Sequence, residues 1–188
     1  NGLASLKTPK VPKAPLPPMD QTNARRALAN CASPLTFRVA YAGLYAGLRI
    51  SESEQMSEDT WRNDWLTIIG KGAKKRRIPV HPKLAKVRPL ILARSPNRRT
   101  LEVTWTRYRD KYDLRTIEGT KATPHTLRRT FATTMYDEGV PWEQVARLLG
   151  HGEDVTASYA RISDDDLEQD VGVVRYNRGE PIQGRLFE

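Results

Sequence analysis

Behind Ser33 and Pro34, apolar residues fall at Leu35, Val39, Leu44 and Leu48, at the intervals of one face of an α-helix. A serine N-cap followed by proline at the first helical position opens this stretch, and Gly47 is placed to close it, so a helix is predicted from residue 34 into Gly47. From Trp65 to Val80 the pattern changes to WLTIIG, a basic KGAKKR turn and RIPV, two short β-rich runs around a glycine-containing loop, which predicts a hairpin. Helical spacing returns over residues 82–94 and 101–112, separated by Ser95-Pro96-Asn97. Thr123-Pro124 repeats the cap-and-proline signal and predicts a helix carrying residues 125–138 and stopping at Gly139. A further helix is predicted over residues 141–149, ending at Gly150, and a short one near Tyr159. The expected fold class is α+β, mainly helical, with one small antiparallel β-sheet.

Residues 7–18 (KTPKVPKAPLPP) hold five prolines and three lysines with almost nothing to bury, the composition of an extended, semi-rigid tether. Residues 1–19 are therefore read as an interdomain linker, 20–175 as one folded domain and 176–188 as a tail. A chain of 188 residues suits a single core. With 38% hydrophobic residues and no apolar run near the roughly 20 that a membrane span needs, a soluble globular class is expected. No secretory signal is visible, and Cys31, the one cysteine, leaves no disulfide framework and no CxxC metal motif. The expected compartment is the cytoplasm, at the nucleoid.

Charge adds a direction to this picture. Thirty-one Lys and Arg against 22 Asp and Glu give +9, unevenly spread: residues 71–115 hold 15 basic and three acidic residues, whereas residues 151–170 hold seven acids and one base. One side of such a domain attracts a polyanion, the footprint of phosphate-backbone binding. Lys74, Lys75, Arg76 and Arg77, with Arg129, are the candidate DNA contacts; taken alone, the run at 74–77 is equally compatible with a solvated surface.

The sequence HTLRRTFATTMYDEGVPWEQVARLLGH, followed by Tyr159 in SYARI, resembles the closing half of the tyrosine recombinases, or phage integrases. His125, Arg128, His151 and Tyr159 fall on that pattern. Upstream, GLRISE resembles the family's first arginine motif, placing Arg49 and the nearby Glu52, and GKGAKKRRIPV resembles its lysine-bearing β-turn, placing Lys71. The four motifs span residues 33–162. The resemblance implies a catalytic domain that cleaves and rejoins double-stranded DNA at specific sites through a 3′-phosphotyrosyl intermediate on Tyr159. It also implies no cofactor, neither ATP nor metal, and a homo-oligomer on DNA, a tetramer in the synapse. Family members often pass a C-terminal segment to a neighbouring protomer, with Leu186-Phe187 as the expected anchor.

The residue types suit that chemistry. Two guanidiniums, Arg49 and Arg128, can hold the non-bridging oxygens of a phosphodiester as negative charge builds on them, in a fork that lysine does not reproduce. Tyr159 supplies a hydroxyl able to form a covalent ester. Lys71 is the candidate acid for the leaving 5′-oxygen, with Lys74 as its rival. His125 shuttles the phenol proton or donates to phosphate, His151 holds a phosphate oxygen, and Glu52 orients His125 or Arg49. His81, His125 and His151 lack metal-ligand spacing. Tyr41, Tyr45 and Tyr108 read as packing residues. Three departures from the family pattern stand out: the eight-residue interval from His151 to Tyr159 is one shorter than expected, Ser53, Glu54 and Gln55 after GLRISE leave the next helix only weakly amphipathic where relatives show more leucines, and Arg129 stands where many relatives carry histidine. A type IB topoisomerase, a telomere resolvase and a catalytically silent DNA-binding module of the same fold share this residue set as alternatives.

Overall fold

The computed structural model describes residues 17–70, 73–150 and 163–176. Their elements in chain order are α1 (Gln21–Ala29), α2 (Pro34–Ala46), α3 (Ile50–Ser53), β1 (Trp61–Arg62), β2 (Trp65–Ile69), β3 (Lys75–Pro79), α4 (Pro82–Lys86), α5 (Arg88–Leu92), α6 (Arg98–Lys111), α7 (Pro124–Asp137), α8 (Trp142–Leu149) and α9 (Asp164–Gly172). None of the described helices is long and apolar enough to cross a membrane.

Helix α2 runs through the middle. Ser33 caps it by accepting from the Thr36 N–H, while Thr36 accepts from the Ser33 N–H. Residues on nearly every side of it are buried, as in a helix surrounded by others: α1, α3, α4, α5, α6 and α7 all pack on it. Gly43 lets α7 come close, since a Cβ there would lie 2.6 Å from the Leu127 Cβ. Inside this packing Arg38 is fully buried and donates to four carbonyls, those of Ser53, Met56, Ile91 and Arg94, at 2.6–2.9 Å. It fastens the end of α3 and the end of α5 to the central helix. A buried cation without an anion is tolerated here because four carbonyl dipoles converge on its guanidinium.

The predicted hairpin is present and has a third strand. β2 pairs antiparallel with both β1 and β3, giving the order β1-β2-β3. Leu66 and Ile68 on β2 face Ile78 and Arg76 on β3, so the inward face of the hairpin is apolar except at Arg76.

Three expectations are corrected. The predicted helix over residues 82–94 is two short helices, because Pro89 has no N–H for the i→i−4 ladder and starts a new first turn instead. Residue 19, assigned to the linker, belongs to the core: Met19 is wholly buried, and its N–H donates to Thr130 Oγ1 at 2.9 Å. At the other end Tyr176, assigned to the tail, is buried against Tyr45 and donates to the Leu44 carbonyl at 2.6 Å. The acidic segment after Ser163 forms α9 behind a serine cap. The predicted short helix near Tyr159 and the anchor at Leu186-Phe187 lie outside the described residues.

Candidate active site

The end of α2 sets the site. Gly47 takes the left-handed conformation, φ 60°, where a side chain would be strained and a Cβ would lie 2.6 Å from Phe131 and 2.8 Å from Leu149. The chain turns sharply there, so that Arg49 leads into the single turn of α3. The Glu52 carboxylate reaches back three residues to accept the Arg49 N–H at 2.8 Å, the reciprocal half of a capping box. Its other oxygen meets the Arg49 guanidinium at 2.8 Å.

Glu52 is the hub. Arg76, arriving from β3, grips it with both Nη atoms at 2.8 and 2.9 Å. Arg128, on the second turn of α7, brings its Nη1 to 3.5 Å. Arg128 is held from behind as well, donating to the Gly47 carbonyl at 2.7 Å and to the Leu149 carbonyl. Arg76 donates through Nε to the neighbouring Leu148 carbonyl at 3.0 Å. The last carbonyls of α8, which lack intrahelical partners and carry the negative end of the helix dipole, thus hold two of the three cations. Gly150 ends α8 at φ 65° directly against the Arg76 guanidinium, 2.9 Å from where its Cβ would be.

The electrostatics follow from three guanidiniums around one carboxylate. Burial on its own pushes the Glu52 carboxyl up, yet the hydrogen bonds and charge of Arg76, the Arg49 N–H and the Arg128 charge pull it down to about 2. Burial and then the Arg49 charge depress Arg128 below the ordinary guanidinium range. His125, in the first turn of α7 and three residues before Arg128, is exposed at the mouth of the site. Its pKa is lowered by partial burial and then by the charges of Arg128 and Arg49, with Glu52 acting in opposition. Both effects favour the uncharged imidazole over the imidazolium. Arg49, His125, Ser51, Thr123, Arg98 and Glu102 line an open cleft of about 470 Å³ beside the cluster.

The structure thus brings together Arg49, Glu52, His125 and Arg128 from sequence-distant segments. Lys71, His151 and Tyr159 lie outside the described residues. Of the basic run, Lys74, Lys75 and Arg77 are exposed, and Arg129 is half-buried. Arg77 also lies 4.2 Å over the Trp65 ring and 3.1 Å from Asp164 on α9. Arg76 is corrected from an outer DNA contact to the floor of the site, its side chain only 11% exposed. Strand alternation was the available signal: Arg76 and Ile78 share a face, and Ile78 is fully buried. His81 is structural. It caps α4, stacks on Tyr45 with ring centroids 4.5 Å apart and bonds the Val174 backbone. Tyr45 and Tyr108 are buried as expected, and Tyr41 is half-buried.

A model of the phage integrase family matches residues 19–165. Tyrosine recombinase XerA of Thermococcus kodakarensis is 33% identical over 184 residues, covering 87% of this chain and 64% of that protein. Tyrosine recombinase XerC of Caldanaerobacter subterraneus is 34% identical over 146 residues, covering 68% of this chain and 41% of that one. Among solved structures, the integrase from mycobacterium phage Brujita aligns with a TM-score of 0.75 at 21% identity, covering 93% of this chain and 63% of its own. A lambda integrase tetramer bound to a Holliday junction aligns with a TM-score of 0.54 at 21% identity, over 70% of this chain and 44% of its own. The chain spans less than two thirds of the length of these curated relatives. The matched segment contains every arginine of the cluster together with Glu52 and His125, and the chain belongs to the phage integrase family of tyrosine recombinases.

Proposed function

We propose that this chain breaks and rejoins DNA strands as a site-specific tyrosine recombinase, with Tyr159 as nucleophile. The observation that carries this reading is that Arg49 and Arg128, 79 residues apart in the chain, meet on the same buried carboxylate beside a cleft that His125 lines. Three guanidiniums against one carboxylate leave a net positive site, matched to a phosphorus centre that gathers negative charge as it is attacked.

In this reading the Tyr159 oxygen forms a bond to phosphorus as the bond to the 5′-oxygen breaks. The phenol proton passes to His125, and Lys71 delivers a proton to the leaving oxygen. Arg49 and Arg128 hold the non-bridging oxygens, with His151 as a further donor. Attack of another strand's 5′-hydroxyl on the phosphotyrosine reverses these steps, so the energy of the phosphodiester is conserved and neither ATP nor metal is required. Lys74, Lys75, Arg77 and Arg129 contact the DNA backbone. The substrate is double-stranded DNA with specific recognition sites, and the working form is a homo-oligomer, a tetramer in the synapse, as the lambda integrase bound to a Holliday junction is a tetramer. The proposed place of action is the cytoplasm.

The test is to incubate the chain with nicked suicide duplexes, isolate the denaturant-resistant adduct and map the modified peptide. The adduct is expected on Tyr159, undiminished in excess chelator, and absent from Tyr159→Phe, which retains DNA affinity. An adduct formed by the phenylalanine variant, or none formed by the wild type, overturns the reading. Relaxation of any supercoiled plasmid without a recognition site would instead assign a topoisomerase.

A further inference from the structure

We infer that Arg76 is a positioning residue for the phosphate-binding arginine pair: it grips Glu52 and the last turn of α8 at once and so sets where Arg49 and Arg128 sit during strand cleavage, without itself contacting DNA. This rests on the recombinase reading above and adds a residue to it.

The fork of Arg76 is fully engaged. Nη1 and Nη2 take one oxygen each of Glu52, at 2.8 and 2.9 Å, and Nε takes the Leu148 carbonyl at 3.0 Å. That geometry needs a planar guanidinium; an ammonium on a flexible stem supplies the charge but not two parallel donors plus a third at right distance. The neighbouring carbonyl, Leu149, is taken by Arg128, so two arginines grip successive carbonyls of one helix end. Glu52 has a competing partner within reach, because Arg128 Nη1 stands 3.5 Å from the oxygen that Arg76 Nη2 now holds. Loss of the Arg76 fork frees Glu52 to swing toward Arg128, and Arg49, bonded to Glu52 by both its main chain and its side chain, moves with it.

Two further features make the position of Arg76 exact. Ile68 opposes it in the sheet, so the strand register fixes its base, and in the sequence Lys71 falls between the two strands so paired. At Gly150 a Cβ would come within 2.9–3.3 Å of the guanidinium, so the chain is bare where Arg76 passes beneath the residue leading into His151. Displacement of reacting groups by about 1 Å costs on the order of 100-fold in rate.

The experiment is single-turnover cleavage of a nicked duplex by the 188-residue chain and its Arg76→Lys variant, with DNA affinity measured over a salt series. The expected result is a rate lower by roughly 100-fold with affinity and salt slope within about twofold of wild type. A methylphosphonate at the scissile position carries no charge for the arginine pair to neutralise, so on that substrate the deficit should shrink to less than about tenfold. Gly150→Ala, which crowds the same guanidinium, should show the same pattern and serves if Arg76→Lys does not fold. Cleavage by Arg76→Lys within about threefold of wild type, a loss of affinity parallel to the loss of rate, or an equal deficit on the uncharged substrate each overturns the inference. If the wild type forms no adduct, the recombinase reading fails, and the inference is decided by the NMR signals of the Arg49 and Arg128 Nε–H groups: shifted and faster-exchanging in Arg76→Lys, it stands; unchanged, it falls.

Discussion

Replacing Glu52 with glutamine keeps the shape of the hub and removes its charge. The carboxylate side chain is 3% exposed and makes hydrogen bonds to Arg49 and Arg76, with Arg128 close by. Holding its pKa at about 2, against about 4.3 for a free glutamate, corresponds to about 3 kcal/mol of native-state stability at neutral pH. An independent figure comes from the general cost of stripping one partner from a buried ion pair, about 3–5 kcal/mol. The glutamine amide adds to this by presenting two N–H donors where one oxygen had accepted. A loss of about 3–4 kcal/mol is therefore expected, a large share of the ~5–15 kcal/mol that holds a domain together. In a domain of this size it should lower Tm by about 10 °C. Urea unfolding followed by circular dichroism measures it, and pH gives a second handle. Because the folded-state pKa is depressed, the contribution of Glu52 is fully present above the ordinary carboxylate range and is lost as pH falls through about 2. The gap between wild type and Glu52→Gln should thus be widest at pH 6–7 and close steadily below about pH 4.5. A gap below about 1 kcal/mol at neutral pH, or one that does not change with pH, would refute the reasoning that Glu52 neutralises the cluster.

Two further outcomes test parts of the molecule outside the hub. His81 is buried, and desolvation, with the charges of Lys83 and Arg175, lowers its pKa to about 4 against the pull of its bond to the Val174 backbone. Its neutral form therefore stabilises the fold above the ordinary histidine range, and that stability is lost as pH falls from about 6.5 through 4; in urea titrations the wild type should weaken by about 3 kcal/mol over that interval, and His81→Phe should flatten the same stretch of the curve. Arg77→Ala removes an exposed cation from the outer face of the hairpin, so the dependence of DNA affinity on salt should lose about one unit of slope while stability changes by less than about 1 kcal/mol, surface ion pairs being weak. An unchanged slope would remove Arg77 from the DNA-facing surface.

Where local chemistry decides the structure, the sequence is readable. The Ser33-Pro34 and Thr123-Pro124 caps and the left-handed glycines at 47 and 150 mark the ends of α2, α7 and α8 within a residue or so, because each satisfies orphan backbone groups with its immediate neighbours. Arg49, Glu52, His125 and Arg128 were legible through motif resemblance, and the structure gives the physical reason for their spacing: one turn of α3 carries Glu52 back to the Arg49 N–H, and one turn of α7 separates His125 from Arg128. What escaped depends on partners far along the chain. Arg38 sits in a largely apolar helix, and its four acceptors lie 15 to 56 residues away, so nothing near it announces a buried cation. Met19 and Tyr176 similarly enter the core through bonds to Thr130 and Leu44. The basic run at residues 74–77 is the instructive case, because composition treats its four cations as equivalent and the strand does not. Alternation sends Lys75 and Arg77 out to solvent and Arg76 in, toward Glu52. One tetrapeptide therefore carries two kinds of charge, one exposed on the outer face and one paired with a buried carboxylate. A single-residue slip in the β2–β3 register would exchange them, placing two cations on the apolar face and leaving Glu52 without its fork.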